Sequence, residues 1–402
     1  MPEAVIVATA RSPIGRAFKG SLVDLRPDEM AAQIVRAVLA KVPELDPAEV
    51  EDLIMGCGQP GGEQGYNIGR VTAVLAGLEG VPGVTVNRYC SSSLQTIRMA
   101  AHAIRSGEGD VFISAGVEAV SRLVAGSSDG IPGTVNPAFA DAGRRSKDRA
   151  QGGAAKWEPG SGLADVYIAM GQTAENVVQS EGVGRTEMDE FAALSQNRAV
   201  ASQTNGFFER EITPVKLPDG TIVATDDGPR PDTTVEKLSQ LKPVFRPDGS
   251  VTAGNSCPLN DGAAAVVVMS DSRAKALGIK PLARVVASAV SALNPEIMGL
   301  GPIGASQAVL KRAGMTIDDI DLVEINEAFA AQIIPSAKAL GIEWDKLNVK
   351  GGAIALGHPF GMTGARIMTT LLNALEDTDK SIGLETMCVG GGQGMAMIVE
   401  RL

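Results

Sequence analysis

"LDPAEVEDLIMG" at residues 45–56 reappears 270 residues downstream as "MTIDDIDLVEIN", residues 315–326. Each copy is an acidic turn feeding a short apolar run that stops at Gly or Asn, the pattern of a loop entering a buried strand. The likeness extends along the chain. "NDGAAAVVVMS" (260–270) recurs as "GQGMAMIVERL" (392–402), and the helix opened by Ser91 has a counterpart starting near Gly361. A repeat of this length marks a duplication, and two similar halves pack naturally about a pseudo-twofold axis.

Within each half, apolar runs such as "EAVIVATA", "DVFISAG" and "IGLETMCVG" alternate with helix-period segments such as "DEMAAQIVRAVLAKV" and "ASQAVLKRAG". That alternation predicts an α/β fold. Residues 1–121, completed by 250–273, form the expected first half, and 274–402 the second. Residues 122–249 have no partner in the repeat. This insert is glycine-rich and polar at first, then helical in "GQTAENVVQSEGVG" and "TEMDEFAALSQNRAVASQ". It reads as a loop domain hung on one half, the kind of segment that carries binding.

Composition narrows the function classes. The 402 residues carry a net charge of −11, which argues against nucleic-acid binding, because neutralising phosphates needs clustered Lys and Arg. No apolar run approaches the length of a membrane span, and the first residues read as a strand instead of a leader peptide. The expected location is the cytoplasm. Four cysteines (Cys57, Cys90, Cys257, Cys388) are too few for a disulfide scaffold and lack paired metal-ligand spacing, so they are read as reduced thiols with no metal.

Among these thiols, Cys90 follows the strand-like "GVTVNRY" and precedes Leu94, Ile97, Ala101 and Ile104, one apolar helical stripe. It therefore sits at a strand-to-helix junction, where free N–H groups and the helix dipole lower a thiol's pKa and bind an oxyanion. Position alone leaves Cys90 open between packing and nucleophile.

A nucleophilic cysteine needs a base, and the chain has only two histidines. His102 lies 12 residues along the same helix, about 18 Å away at 1.5 Å per residue. His358 lies in "GGAIALGHPFGMTGAR", a Gly-rich loop entering the second copy of that helix. A pseudo-twofold would bring the two helix N-termini together, and His358 toward Cys90. Cys388 ends an apolar strand ahead of glycines whose N–H groups stand unobstructed. Asn326 closes "IDLVEI", with helix N-cap as its simplest role.

Taken together, "VNRYCSSSLQ", "VTAGNSCPLNDGAAAV", "EINEAFA", "GGAIALGHPFGMTGAR" and "CVGGGQGMA" resemble the signatures of the thiolases, in that family's order and over essentially the whole chain. The resemblance implies a duplicated α/β/α/β/α five-layered fold with an inserted loop domain that binds CoA. It further implies thiolytic cleavage of a 3-ketoacyl-CoA to acetyl-CoA and a shortened acyl-CoA, with CoA as co-substrate and no permanently bound cofactor. By the same resemblance Cys90 is the acyl-accepting nucleophile, His358 activates it, and Cys388 exchanges the α-proton. His358 and an Asn326-held water would bind the enolate oxygen, and the Cys90 and Gly390 N–H groups the tetrahedral oxyanion. A homodimer or homotetramer is implied.

Several positions depart from the family pattern. Ser93 stands where Gly is usual, and Cys257 where many members have a Ser that contacts pantetheine. Ala169-Met170 replaces the His-Met typical of the acetoacetyl-specific biosynthetic branch, favouring the degradative branch over condensation of two acetyl-CoA. For CoA's phosphates the basic run "GRRSKDR", with Arg144, Arg145, Lys147 and Arg149, is the candidate, against a solvated loop. Rival classes are weaker. "GCGQPG" (56–61) matches a dinucleotide-binding spacing, yet Pro60 and further glycines postpone the helix that would hold a pyrophosphate. A decarboxylating ketosynthase needs a second active-site His or Asn, and His102 is the spare histidine.

Overall fold

The computed structural model of the chain describes residues 2–123, 132–153 and 156–402. Parts of the glycine-rich opening of the insert, at 124–131 and 154–155, lie outside the described residues. The first half runs β1 (Ala4–Arg11), α1 (Pro27–Ala40), β2 (Asp52–Gly56), α2 (Ile68–Leu75), β3 (Gly83–Val86), α3 (Ser92–Ser106) and β4 (Val111–Ala119). Helices α4 (Ala140–Ala150), α5 (Met170–Glu181) and α6 (Arg185–Thr204) follow, and β5 (Asn260–Ser270) returns to the sheet. The second half runs β6 (Ala283–Ala292), α7 (Gly301–Ala313), β7 (Leu322–Ile325), α8 (Ala330–Leu340), α9 (Thr363–Asp377), β8 (Ile382–Val389) and β9 (Gln393–Arg401).

The strands form one mixed sheet in the order β7-β8-β9-β6-β1-β5-β4-β2-β3. Read outward from its middle, β1-β5-β4-β2 and β6-β9-β8-β7 are the same arrangement. In each, the last strand of the half is antiparallel to both neighbours, and the crossover pair β2/β4 or β7/β8 is parallel. The halves join at β1 and β6 through two residue pairs, Val5↔Arg284 and Ile6↔Ala283. Three apolar cores account for the layering. One packs α1 and α2 outside the first half-sheet, one packs α7 and α8 outside the second, and the third buries α3 against α9 between them. The result is two like halves, as the duplication predicts, in the five layers that the resemblance implies.

Local chemistry explains the elements. α1 begins with Pro27, whose fixed φ suits a first helical position, and Asp28 and Glu29 follow at the positive end of the dipole. Its Met30, Ile34, Val35 and Val38 recur at helical spacing and are buried; each such side chain contributes about 1.5–3 kcal/mol. The central helices approach closely because small residues face each other. A Cβ on Gly364 of α9 would lie 2.3 Å from the Leu94 nitrogen of α3, so only glycine fits. The Ala365 N–H of α9 donates to Ser93 Oγ of α3 at 2.9 Å. Ser93, which departs from the family's usual glycine, thus ties the two half-sheets' middle helices together.

Asn326 does not cap a helix. α8 starts at Ala330 behind an extended Phe329, because Ser256 pairs with Phe329 across a β-bridge and the Cys257 N–H donates to the Ala328 carbonyl. Those bonds hold Ala328 and Phe329 out of the helix and delay its start.

Candidate active site

Cys90 lies in a single helical turn, Tyr89–Ser91, that leads into α3. The turn is sharp: Tyr89 has φ of 43°, uncommon for an aromatic residue, and is held there by the Asn87 side chain accepting from its N–H at 2.8 Å. Ser92 Oγ bridges the same turn, accepting from Arg88 N and donating to the Tyr89 carbonyl. Cys90 itself is 8 % exposed. The helix start does not lower this thiol as the sequence suggested. Burial pushes it up to about 11, against the opposing N–H groups of Gly390 and of Cys90 itself. Desolvation outweighs these N–H groups because Cys90 packs in the central core.

His358 is fixed from both sides. Its backbone N–H donates to Asn260 Oδ1 at 3.0 Å, and Asn260 Nδ2 donates onward to the Gly15 carbonyl of the first half. Gly357 allows this: its φ is 113°, and a Cβ there would fall 2.5 Å from Asn260. On the ring, Nδ1 is 2.7 Å from Thr363 Oγ1, and that hydroxyl donates to the Pro359 carbonyl at 2.8 Å. Thr363 therefore accepts from an Nδ1–H, which places the basic lone pair on Nε2. Asn326 Nδ2 donates to Nε2 at 3.3 Å. Burial, and the Arg366 charge behind it, lower His358 to about 3, so the resting imidazole is neutral.

Cys388 closes β8, fully buried beside Gly394 of β9. Burial raises its pKa, and the Cys90 and Cys257 thiols add to the rise. Cys257 is partly exposed and packs on the same core as Cys388. Met170, the first residue of α5, is partly buried against that core. Gly390 is buried, and its N–H is directed at the Cys90 sulfur.

The basic run lies on α4. Arg144 is exposed and ion-paired with Asp141, while Arg145 donates to the Leu163 carbonyl. Another basic pair went unread in the sequence: Arg16 and Arg230 line a cleft with Ala253, Gly254 and Ile354, between the Cys257 loop and the His358 loop. Their guanidinium charges repel, which lowers Arg230 together with burial. Glu118, Asn260 and Thr363 were missed as well. Glu118 left one signal, a lone acid inside the apolar run "VFISAGVEAV". His102 is exposed on α3, and no group that could hold a metal ion occurs among the described residues.

A duplicated five-layer α/β fold with a buried cysteine at a helix start, a neutral buried histidine and a second buried cysteine carries the groups that a thiol-dependent acyl-transfer class of enzyme needs. The chain belongs to the thiolase family: the thiolase N-terminal domain matches residues 4–272 and the thiolase C-terminal domain residues 279–401. It is 45% identical to a 3-ketoacyl-CoA thiolase of Aeromonas hydrophila and 42% identical to a beta-ketoadipyl-CoA thiolase of Acinetobacter baylyi, in each case over 100% of both chains. Its structure is similar to the crystal structure of the Bacillus anthracis acetyl-CoA acetyltransferase, with a TM-score of 0.85 and 37% identity, covering 100% of this chain and 99% of that one.

Proposed function

We propose that the chain is a degradative thiolase, an acyltransferase that cleaves 3-ketoacyl-CoA to acetyl-CoA and a shortened acyl-CoA through an acyl-Cys90 thioester. The observation that carries the reading is the hydrogen-bond chain Pro359–Thr363–His358–Asn326, which leaves one buried imidazole nitrogen basic. His358 Nε2 takes the Cys90 proton as sulfur attacks the 3-keto carbon. Because the histidine is neutral and the thiol protonated at rest, the ion pair forms alongside the substrate's developing oxyanion, which the Gly390 and Cys90 N–H groups hold. The carbon–carbon bond breaks, and Cys388 gives its proton to the departing enolate carbon. Asn326 Oδ1 is a buried acceptor without a protein partner, suited to a water that donates to it and to the enolate oxygen. Free CoA then surrenders its thiol proton to the Cys388 thiolate and attacks the thioester. The Cys90 thiolate leaves and regains its proton from His358.

Several observations support the binding reading. The Arg16–Arg230 cleft offers positive charge to CoA's phosphates, beside Cys257, which stands where a pantetheine contact is expected. Arg144 and Lys147 instead line a cavity of about 700 Å³ with Val135, Phe139 and Ile168, and Ala169 opens onto it. An alanine at that position leaves room for an acyl chain longer than acetyl, in line with the degradative branch. The proposed division of labour places catalysis in the halves 1–121 with 250–273 and 274–402, and CoA binding largely in 122–249. A cytoplasmic homodimer or homotetramer completes the proposal; no helix among the described residues is long and apolar enough to cross a membrane. The test is loss of the 3-ketoacyl-CoA enolate signal on adding CoA, over a series of chain lengths, with NADH-coupled turnover as control. Acceptance of chains beyond acetoacetyl supports the reading, and strict acetoacetyl dependence overturns the degradative branch.

A further inference from the structure

Glu118 closes β4 and is fully buried, although no cation pairs with its carboxylate in the hydrogen-bond network around it. Its oxygens meet donors. Oε2 accepts from the N–H groups of Gly58 at 2.8 Å and Gly361 at 2.9 Å; Oε1 accepts from the Gln59 N–H at 3.2 Å and Gln64 Nε2 at 2.7 Å. Cys57 Sγ stands 3.8 Å from Oε1. Burial raises the Glu118 carboxyl, and the Gln64, Gly361, Gly58 and Gln59 donors oppose that rise; with N–H donors on both oxygens, the geometry favours the carboxylate over a protonated oxygen that would face an N–H.

The donors come from two places. Gly58, Gln59 and Gln64 belong to the first-half loop after β2, which underlies the Cys90 turn: a Cβ on Gly58 would lie 3.5 Å from the Tyr89 carbonyl and 2.8 Å from Phe360 Cβ. Gly361 belongs to the second-half loop, three residues after His358, and the Phe360 ring stands edge-on to the His358 ring at 5.1 Å. One buried anion thus accepts from both loops at the point where the halves meet.

We propose that Glu118 is a positioning residue for the reaction, its carboxylate fastening the His358 loop onto the loop beneath the Cys90 turn. The role rests on the assignment of Cys90 and His358 made above. The carboxylate has a second, smaller effect: burial is what chiefly raises the Cys90 thiol, and the Glu118 charge adds to that rise. His358 lies across the same junction and is neutral. A resting thiol that keeps its proton until substrate arrives is protected from unproductive reaction.

Glu118→Asp keeps the charge but withdraws the carboxylate by one methylene, and Glu118→Gln keeps the length but sets an amide N–H against donors. Both should lower kcat about 10²-fold, the scale of a 1 Å misplacement, with KM for CoA unchanged. They should part company in the pH dependence of Cys90 alkylation by iodoacetamide. Glu118→Asp should keep the wild-type midpoint, and Glu118→Gln should move it down. Circular dichroism verifies folding; should the Gln variant not fold, the Asp variant's kcat against KM decides. Wild-type kcat in the folded variants, or a fall in KM and kcat together, overturns the proposal. The wild type is acylated alongside: an adduct on Cys90 with unaffected variants overturns the role of Glu118 alone, whereas no adduct on Cys90 overturns the catalytic assignment itself.

Discussion

Thr363 sits 2.7 Å from His358 Nδ1 and spends its own proton on the Pro359 carbonyl, so it accepts from the imidazole and fixes the tautomer. Replacing it by valine keeps the volume but removes the acceptor. Thr363→Val should lower kcat about 10- to 100-fold, the range for partners that orient a functional histidine, with little change in KM. Steady-state kinetics with a 3-ketoacyl-CoA checks it.

Because His358 is lowered to about 3, its basic form is present throughout the neutral range. The pH–rate profile should therefore show no inflection near 6.5, the value of an unperturbed histidine. Stability follows the same sign. The unfolded chain binds a proton at His358 first, so this contribution is complete above about pH 6.5 and is lost as pH falls toward 3. Urea titrations at pH 7 and 5 should show a smaller acid loss for His358→Gln than for the wild type.

Cys388 and Cys257 are both electrostatically coupled to Cys90 but have different parts to play. Cys388→Ala should still accept an acyl group on Cys90, yet lose deuterium exchange at the acetyl-CoA α-carbon by about 10²–10⁴-fold. Cys257→Ser should retain exchange and alter only KM for CoA. Exchange at the wild-type rate in Cys388→Ala would mean that another group moves that proton.

Much of this arrangement was legible in the sequence. The repeat of 45–56 at 315–326 predicts the equivalent strands β2 and β7 of the two halves, and the scarcity of histidine singles out His358. What escaped notice depends on packing. A helix-start cysteine looks activated until the central core desolvates it. Asn326 looks like a cap until the Ser256–Phe329 bridge straightens the chain after it. Glu118 and the Arg16–Arg230 pair acquire meaning only from segments distant in sequence: Gly361 is 243 residues from Glu118.

Arg11 extends the same lesson to stability. It is fully buried, donating to Glu211 Oε2 at 2.8 Å and to both oxygens of Asp226 at 2.8 and 3.0 Å, and so joins β1 to the insert. Arg11→Met would leave two buried carboxylates without their cation. The expected cost is about 3–5 kcal/mol, read from denaturant unfolding.

The central claim is that Cys90 carries the acyl group. Brief incubation with a 3-ketoacyl-CoA, acid quench, proteolysis and mass spectrometry locate it directly. The mass of the shortened acyl chain should appear on the peptide containing Cys90, and vanish in a folded Cys90→Ser variant. The same mass on Cys388, Cys257 or Cys57, with Cys90 unmodified, would contradict the account.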